Sequence, residues 1–284
     1  MIDIAVKAAV EAGAAILEIY AQDFEVEFKA DDSPLTAADK AAHEIIVHAL
    51  AATPYPVLSE ESGTITYEER QQWNTYWLVD PLDGTKEFIK KNGEFTVNIA
   101  LVENGVPVAG VVYVPVEDTL YLGVSNGALG VEPGAWKAIG CQGKSFDEIF
   151  ASANPCRVSG APAGALKVVA SKSHCNDDTR DFIAALAKKY GPPELVSRGS
   201  SLKLCMVAEG RADIYPRIAP TMEWDTAAAH AVVTAAGGSV FEYDESISAT
   251  DYVATSNEVN NLSYNKADLL NPYFVVSGLR KYNP

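Results

Sequence analysis

Residues 77–88 of the chain read WLVDPLDGTKEF, an apolar run that ends in two carboxylates three positions apart, Asp80 and Asp83, followed at once by Gly84 and Thr85. Pro81 removes a backbone donor and stiffens the turn, while Gly84 lets backbone approach a ligand closely. A helix beginning here would offer free N–H groups around Gly84 and Thr85 as a phosphate cradle. Two carboxylates beside such a cradle would repel a phosphate unless divalent cations stood between them. Oxygen ligands with no His or Cys nearby favour Mg²⁺. The same segment also reads as an ordinary strand-to-helix turn, where Asp and Gly are common.

Three further acids have two readings each. Glu60, in Ser59-Glu60-Glu61-Ser62, follows a short apolar run and reads either as a ligand or as part of a solvated acidic loop. Asp225 follows Trp224 at the start of an apolar helix, where an acid complements the helix dipole. Asp39 closes Thr36-Ala37-Ala38-Asp39, the shape of a capping box. None of the three is evidence of catalysis alone.

The elements that must position these residues follow from periodicity and punctuation. Residues 1–20 form an amphipathic first helix with Ile2, Val6, Val10, Ile16 and Leu17 inward. Leu35–Leu50 reads as a second helix with Thr36 as its N-cap, ended by Pro54 and Pro56. Val57-Leu58 and Tyr76–Val79 read as strands, and Phe95–Val102, Val108–Val114 and Leu120–Val124 as successive strands with a hairpin turn at Asn104-Gly105. The second half alternates. Lys167–Ala170, Ala212–Tyr215 and Phe274–Val276 read as strands, and Asn176–Tyr190, Ser200–Glu209 and Asp225–Ala236 as helices. The pattern is an α+β domain over 1–160, carrying Glu60 and the DPLDGT site, followed by an α/β domain over 161–284, carrying Asp225 and substrate contacts.

Composition narrows the partners. The chain has 284 residues, 22 Lys+Arg against 38 Asp+Glu, and a formal net charge of −16, with 48% hydrophobic and 21% charged residues. That composition argues against disorder, and the acidity against nucleic acid and anionic membrane. No run of about 18 apolar residues exists, so no integral membrane segment is expected. The N-terminus lacks the basic region and uninterrupted apolar core of a signal peptide. The cysteines, Cys141, Cys156, Cys175 and Cys205, contain no CxxC pair and read as reduced thiols in a cytoplasmic protein. The histidines show no metal pattern: His43 and His48 lie off one helical face, and His230 packs or caps within a helix.

In order along the chain, LTAAD, LSEE, DPLDGT and EWDTAAAH with its following AAGG resemble the inositol monophosphatase-like superfamily of lithium-sensitive, Mg²⁺-dependent phosphatases. Within it, LSEE, DGTKEFIKKNGEFTVNIAL, SRGSSLK and LLNPYFVVSG are similar to the bacterial 3'(2'),5'-bisphosphate nucleotidases, which hydrolyse adenosine 3',5'-bisphosphate to AMP and phosphate, a by-product recycled in sulfate assimilation. The resemblance implies a layered α/β/α/β/α sandwich and two to three Mg²⁺ ions. It makes Glu60, Asp80, the Leu82 carbonyl, Asp83 and Asp225 the metal ligands. Thr85, braced by Asp39, would orient the attacking water, which the cations would activate while stabilising the leaving oxygen. Ser59 stands where inositol phosphatases usually carry Gly, a departure that fits the nucleotidase branch.

Substrate choice rests on fewer residues. Lys86 replaces a small polar residue of the inositol phosphatases, and Arg217 stands near an acid that contacts sugar hydroxyls there, which suits additional phosphate. Ser200, Ser201 and Lys203 offer hydroxyls and a charge to a second phosphate or the ribose, and Glu60, Gly84, Thr85 and Asp225 complete the expected substrate contacts. Each cation also reads as a surface or ion-paired charge. The competing functions are an inositol-1-phosphatase or broad sugar-phosphate phosphatase, and a catalytically silent nucleotide- or metal-binding protein. Weak attachment to the cytoplasmic face of the inner membrane occurs in related enzymes. Cys141–Phe150 and Ser246–Asn261 read as surface insertions.

Overall fold

The computed structural model of the chain describes residues 1–22, 26–28, 34–125, 127–162, 164–170, 176–254 and 259–279, and for 26–28, 34–36, 128 and 254 the backbone alone. The elements run α1 (Ile2–Tyr20), β1 (Val26–Phe28), β2 (Pro34–Thr36), α2 (Ala37–Leu50), β3 (Val57–Ser59), α3 (Tyr67–Arg70), β4 (Thr75–Asp83) and α4 (Thr85–Ile89). They continue β5 (Thr96–Glu103), β6 (Val106–Val114), β7 (Thr119–Val124), β8 (Gly134–Ile139), α5 (Phe146–Ala151), β9 (Asn154–Pro155), β10 (Lys167–Val169) and α6 (Asp177–Tyr190). The rest are β11 (Glu194–Val196), α7 (Leu202–Ala208), β12 (Ile214–Arg217), α8 (Glu223–Ala235), β13 (Ser239–Glu242), α9 (Ala249–Ala254) and β14 (Phe274–Ser277).

Among the described residues the strands form a seven-stranded sheet in the order β3-β4-β5-β6-β7-β8-β9 and a five-stranded sheet in the order β11-β10-β12-β14-β13. Helices α1 and α2 cover one face of the first sheet, and α7 and α8 lie between the sheets. Helices α6 and α9 cover the far face of the second sheet, completing the α/β/α/β/α layering. The period of two along β5 shows how one strand serves two layers. Val97, Ile99 and Leu101 enter the core under α1 and α2, whereas Ala100 and Val102 enter the core shared with α7 and α8. Leu17 is only partly buried at the edge of that first core.

Helix α8 sits unusually close to the first sheet, and two glycines allow it. A Cβ at Gly110 would fall 2.1 Å from the Ala228 carbonyl oxygen, and one at Gly123 would fall 2.4 Å from the Val232 Cα. The helix answers with small residues, Ala227, Ala228, Ala229 and Ala231, all buried. This tight layer places the start of α8, and with it Asp225, against the end of β4.

Several expectations are corrected. The second helix starts at Ala37, because Pro34–Thr36 forms β2; the cap expected at Thr36 concerns a side chain outside the described residues. Cys141–Phe150 is largely exposed, as expected, but it is not all loop and is anchored in the core at both ends. Cys141 is buried, and α5 begins within the segment on a Ser145–Glu148 capping box. Phe150 packs at 5.7 Å on Phe146 and at 5.1 Å on Trp136. Ser246–Asn261 likewise contains α9, whose Tyr252 is fully buried against Phe182, Phe241 and Tyr243; residues 255–258 lie outside the described ones. Aromatic anchors outweigh the polar composition in both. The turn at Asn104-Gly105 has the two left-handed residues of a tight hairpin (φ 49° and 77°). No helix among the described residues is long and apolar enough to cross a membrane.

Candidate active site

Strand β4 does not stop at Val79 but runs through Asp80-Pro81-Leu82-Asp83. Its register against β5 pairs Asp80 with Asn98 and Asp83 with Thr96, so β4 carries one residue more than β5 in that interval. This is a bulge, and Pro81, which has no N–H to lose from the ladder, suits it. Leu82 turns into the core under α2, and its N–H donates to Asp80 Oδ1 at 3.1 Å. Gly84 then takes a left-handed conformation (φ 96°), where a Cβ would lie 3.3 Å from the Glu94 carbonyl oxygen, and α4 begins at Thr85.

The bulge delivers Asp80 and Asp83 to the place where α8 begins. Asp80, Asp83 and Asp225 each offer a carboxylate oxygen, and these oxygens lie within 4.8 Å of one another. Asp225 uses Oδ2 to accept the Met222 N–H at 2.9 Å, so the helix-capping reading holds alongside clustering with the other two acids. Burial, then the charges of Glu60, Asp83, Asp225 and Asp39, hold the Asp80 carboxyl well above the usual carboxylate range. Asp225 is pushed up in the same way, by burial and then Asp83. Glu60 stands beside the trio on the segment after β3, its N–H donating to Val79 O at 3.0 Å. Asp39 is buried in the first turn of α2. The result is a compact acidic cluster, all oxygen, that could hold a metal.

A polar network surrounds Asp83. Its Oδ2 accepts the Ser201 N–H at 2.7 Å, lies 2.9 Å from Ser201 Oγ, and accepts the Ser200 hydroxyl. Ser201 Oγ also lies 2.7 Å from the Asp225 carbonyl oxygen and accepts from Asn98 Nδ2 at 3.0 Å. Thr96 Oγ1 stands between Asn98 Oδ1 (3.1 Å) and Ser200 Oγ (2.7 Å). Ser200 and Ser201 were expected to face substrate; both line the cleft, yet their hydroxyls turn to Asp83. Thr96 and Asn98 were not anticipated. Two polar residues at alternate positions of an otherwise apolar strand were the available signal.

The start of α8 is anchored from the other side. The fully buried Glu223 carboxylate accepts the N–H groups of Asn265 (2.7 Å) and Lys266 (3.0 Å) and pairs with Lys266 Nζ at 2.6 Å. Arg70 clamps the same loop through Asn265 Oδ1 at 2.9 Å, and Asn271 Nδ2 donates to Met222 O at 2.7 Å. Glu223 is an anchor of the site that the sequence did not single out.

A cleft of about 330 Å³ opens beside the trio, and Asp83, Gly84 and Asp225 line it together with the cations Arg198, Lys203 and Arg217. Arg198 pairs with Glu94 at 3.4 Å and with Glu117. Lys203, 8% exposed, donates to Ser200 O at 2.8 Å and Arg198 O at 3.3 Å, and burial draws its ammonium down to about 8. Arg217 donates to Pro220 O at 3.0 Å, and its buried Nε has no hydrogen-bond partner among the described residues. Lys86 is exposed on α4 and stands apart from the cleft lining. Two histidines serve structure: His43 Nδ1 lies 2.9 Å from Ser59 Oγ, and buried His230 lies 2.9 Å from the Tyr264 hydroxyl.

Comparison with known proteins bears on this site directly. The inositol monophosphatase family model matches residues 1–275. The chain is 48% identical over 236 residues to the 3'(2'),5'-bisphosphate nucleotidase CysQ of Salmonella typhimurium, covering 82% of this chain and 86% of that one. It is 45% identical over 247 residues to the CysQ of Escherichia coli K12, covering 86% and 91%. Among solved structures, CysQ from Bacteroides thetaiotaomicron superposes with a TM-score of 0.80 at 49% identity, covering 99% of this chain and 97% of that one. With the trio, the bulged DPLDGT strand and the layered sandwich in place, the chain belongs to the inositol monophosphatase family.

Proposed function

We propose that the chain is a Mg²⁺-dependent 3'(2'),5'-bisphosphate nucleotidase that converts adenosine 3',5'-bisphosphate to AMP and phosphate. The observation that carries this reading is the Asp80–Asp83–Asp225 trio beside a cleft that Arg198, Lys203 and Arg217 also line. The relatives that bear the name align over most of both chains.

The residues fit a hard divalent cation. All the donors are oxygens, and Asp80 and Asp225, held up by burial and mutual repulsion, are the groups a cation would relieve. Glu60, Asp80, the Leu82 carbonyl, Asp83 and Asp225 would hold two to three Mg²⁺ ions. When bound, Mg²⁺ supplies a water of lowered pKa and charge stabilisation at the leaving oxygen. Thr85 would orient that water from the start of α4, and Asp39 would hold the threonine hydroxyl. The N–H groups of the Gly84–Thr85 turn bind the non-bridging oxygens of the reacting phosphate.

The second phosphate falls to the cations that line the same cleft. Arg217 combines a planar fork with an Nε that has no hydrogen-bond partner among the described residues; its charge already acts on Asp225 and Tyr215, and an anion in the cleft would share it. Lys203 adds charge in the same cleft, and Lys86, outside the cleft lining, adds charge only from a distance. The buried free thiols of Cys141, Cys156 and Cys205 suit a reducing compartment.

Phosphate release from adenosine 3',5'-bisphosphate, inositol 1-phosphate and fructose 1,6-bisphosphate, each with and without Mg²⁺, tests the reading. The nucleotide is expected to be hydrolysed fastest, and release to collapse without the metal. Faster release from inositol 1-phosphate would overturn the substrate, and Mg²⁺-independent release would overturn the metal chemistry.

A further inference from the structure

Ser201 touches two residues of the trio, the carboxylate of Asp83 and the backbone carbonyl of Asp225. Its N–H and Oγ reach Asp83 Oδ2 at 2.7 and 2.9 Å, and the same Oγ reaches the Asp225 carbonyl oxygen at 2.7 Å. A hydroxyl has one proton and two lone pairs. Here Asn98 Nδ2 donates into the oxygen at 3.0 Å, and either Asp83 or the Asp225 carbonyl takes the proton. Ser201 is 1% exposed and Asn98 1% exposed, so no solvent competes for these bonds. Asp83 Oδ2 is crowded with donors from Ser200 and Ser201, which leaves Oδ1 as the oxygen with open lone pairs among the described residues.

We propose that Ser201 is a positioning residue, not a substrate contact. It fixes the span between the Asp83 carboxylate at the end of β4 and the first turn of α8, and so sets the separation of two cation ligands that come from distant parts of the chain. Asn98 holds the Ser201 hydroxyl in the required direction, and Thr96 holds Asn98. The inference rests on the reading of the trio as a divalent-cation site.

Mg²⁺ alone, titrated into the full chain and followed by calorimetry and by the Mg²⁺-induced rise in melting temperature, is the test. Ser201→Ala should raise the Mg²⁺ Kd about 10- to 100-fold, the usual cost of losing an outer partner of a metal ligand. At saturating Mg²⁺ its KM for adenosine 3',5'-bisphosphate should stay within about threefold of wild type, because no substrate bond is lost. Ser200→Ala, which spares the bridge to Asp225, should weaken Mg²⁺ binding less. If Ser201→Ala does not fold, Asn98→Ala carries the test, with weaker Mg²⁺ binding expected again. Wild-type Mg²⁺ affinity with a raised KM in the folded variant would overturn the proposal and return Ser201 to substrate binding. A wild-type chain that binds no Mg²⁺ would instead sink the metal reading, and the inference with it.

Discussion

Asp80 and Asp83 present their carboxylates to the same face of the first sheet although three positions separate them, because β4 bulges between the pairs Asp80–Asn98 and Asp83–Thr96. In a regular strand an odd spacing sends side chains to opposite faces. One would then have pointed into the core under α2 and the other toward α8. The extra residue restores the parity, and Leu82 takes the inward position instead. The acidic cluster therefore depends on a local irregularity rather than on strand periodicity.

Crowding at this bulge predicts the behaviour of Asp80→Asn. The wild-type carboxyl is buried among four other acids and pushed well above its usual range, so its charge opposes folding when no cation is present. Asparagine keeps the shape and removes the charge. Melting without added metal should be unchanged or higher than wild type, while turnover falls by about a hundredfold or more with the loss of a ligand. Calorimetric melting with and without Mg²⁺, alongside phosphate release, checks both halves. Wild-type turnover would remove Asp80 from the metal site.

The tight seat of α8 gives a second expectation. Gly110→Ala places a Cβ 2.1 Å from the Ala228 carbonyl oxygen, a contact with backbone that no rotamer change relieves. The helix must move, at a cost of about 3 kcal/mol or more. Because Asp225 rides on that helix, the Mg²⁺-induced gain in stability should shrink as well. Gly164→Ala, which meets nothing within 4 Å, serves as the control and should stay within about 0.5 kcal/mol of wild type in urea unfolding.

Much of this site was legible in the chain itself. The abrupt WLVDPLDGT ending, the acid after Val57-Leu58-Ser59 and the Trp224-Asp225 pair are local signals, and the structure brings all three segments together. What was not legible is relational. Ser200 and Ser201 look like free hydroxyls in sequence, yet their partner Asp83 lies more than a hundred positions earlier, at a separation of 118 from Ser201. The parity shift at Pro81 is visible only in the register with β5. Helices α5 and α9 hide in polar segments because one or two aromatic anchors, Phe150 and Tyr252, outweigh everything around them.

His230 predicts a pH dependence of stability. Burial lowers its pKa from 6.5 to about 4, so the folded chain keeps the ring neutral where the unfolded chain protonates it. Stability from this group is therefore complete above about pH 6.5 and lost as pH falls toward 4, by about 2 kcal/mol at pH 5. Urea unfolding of wild type and His230→Asn at pH 7.5 and pH 5 isolates the effect as the difference between the two slopes. The variant should lose less stability on acidification, and equal losses would place the acid sensitivity elsewhere.

Arg217 is the residue proposed to meet the second, non-reacting phosphate. Its side chain lines the cleft beside the trio, with Nη2 tied to Pro220 O and Nε unpartnered among the described residues. A phosphate reached by this fork gains charge-assisted bonds that do not touch the reacting phosphorus, so the loss should fall on binding and leave the chemical step nearly intact. Arg217→Met should raise KM for adenosine 3',5'-bisphosphate about 10- to 100-fold with little change in kcat. With 3'-AMP, which lacks the second phosphate, the same substitution should barely alter KM. Steady-state kinetics of both proteins on both substrates decides the matter. An equal loss on the two substrates would mean that Arg217 shapes the cleft or serves the reacting phosphate, and a loss on neither would return it to the surface charge that sequence alone also allows.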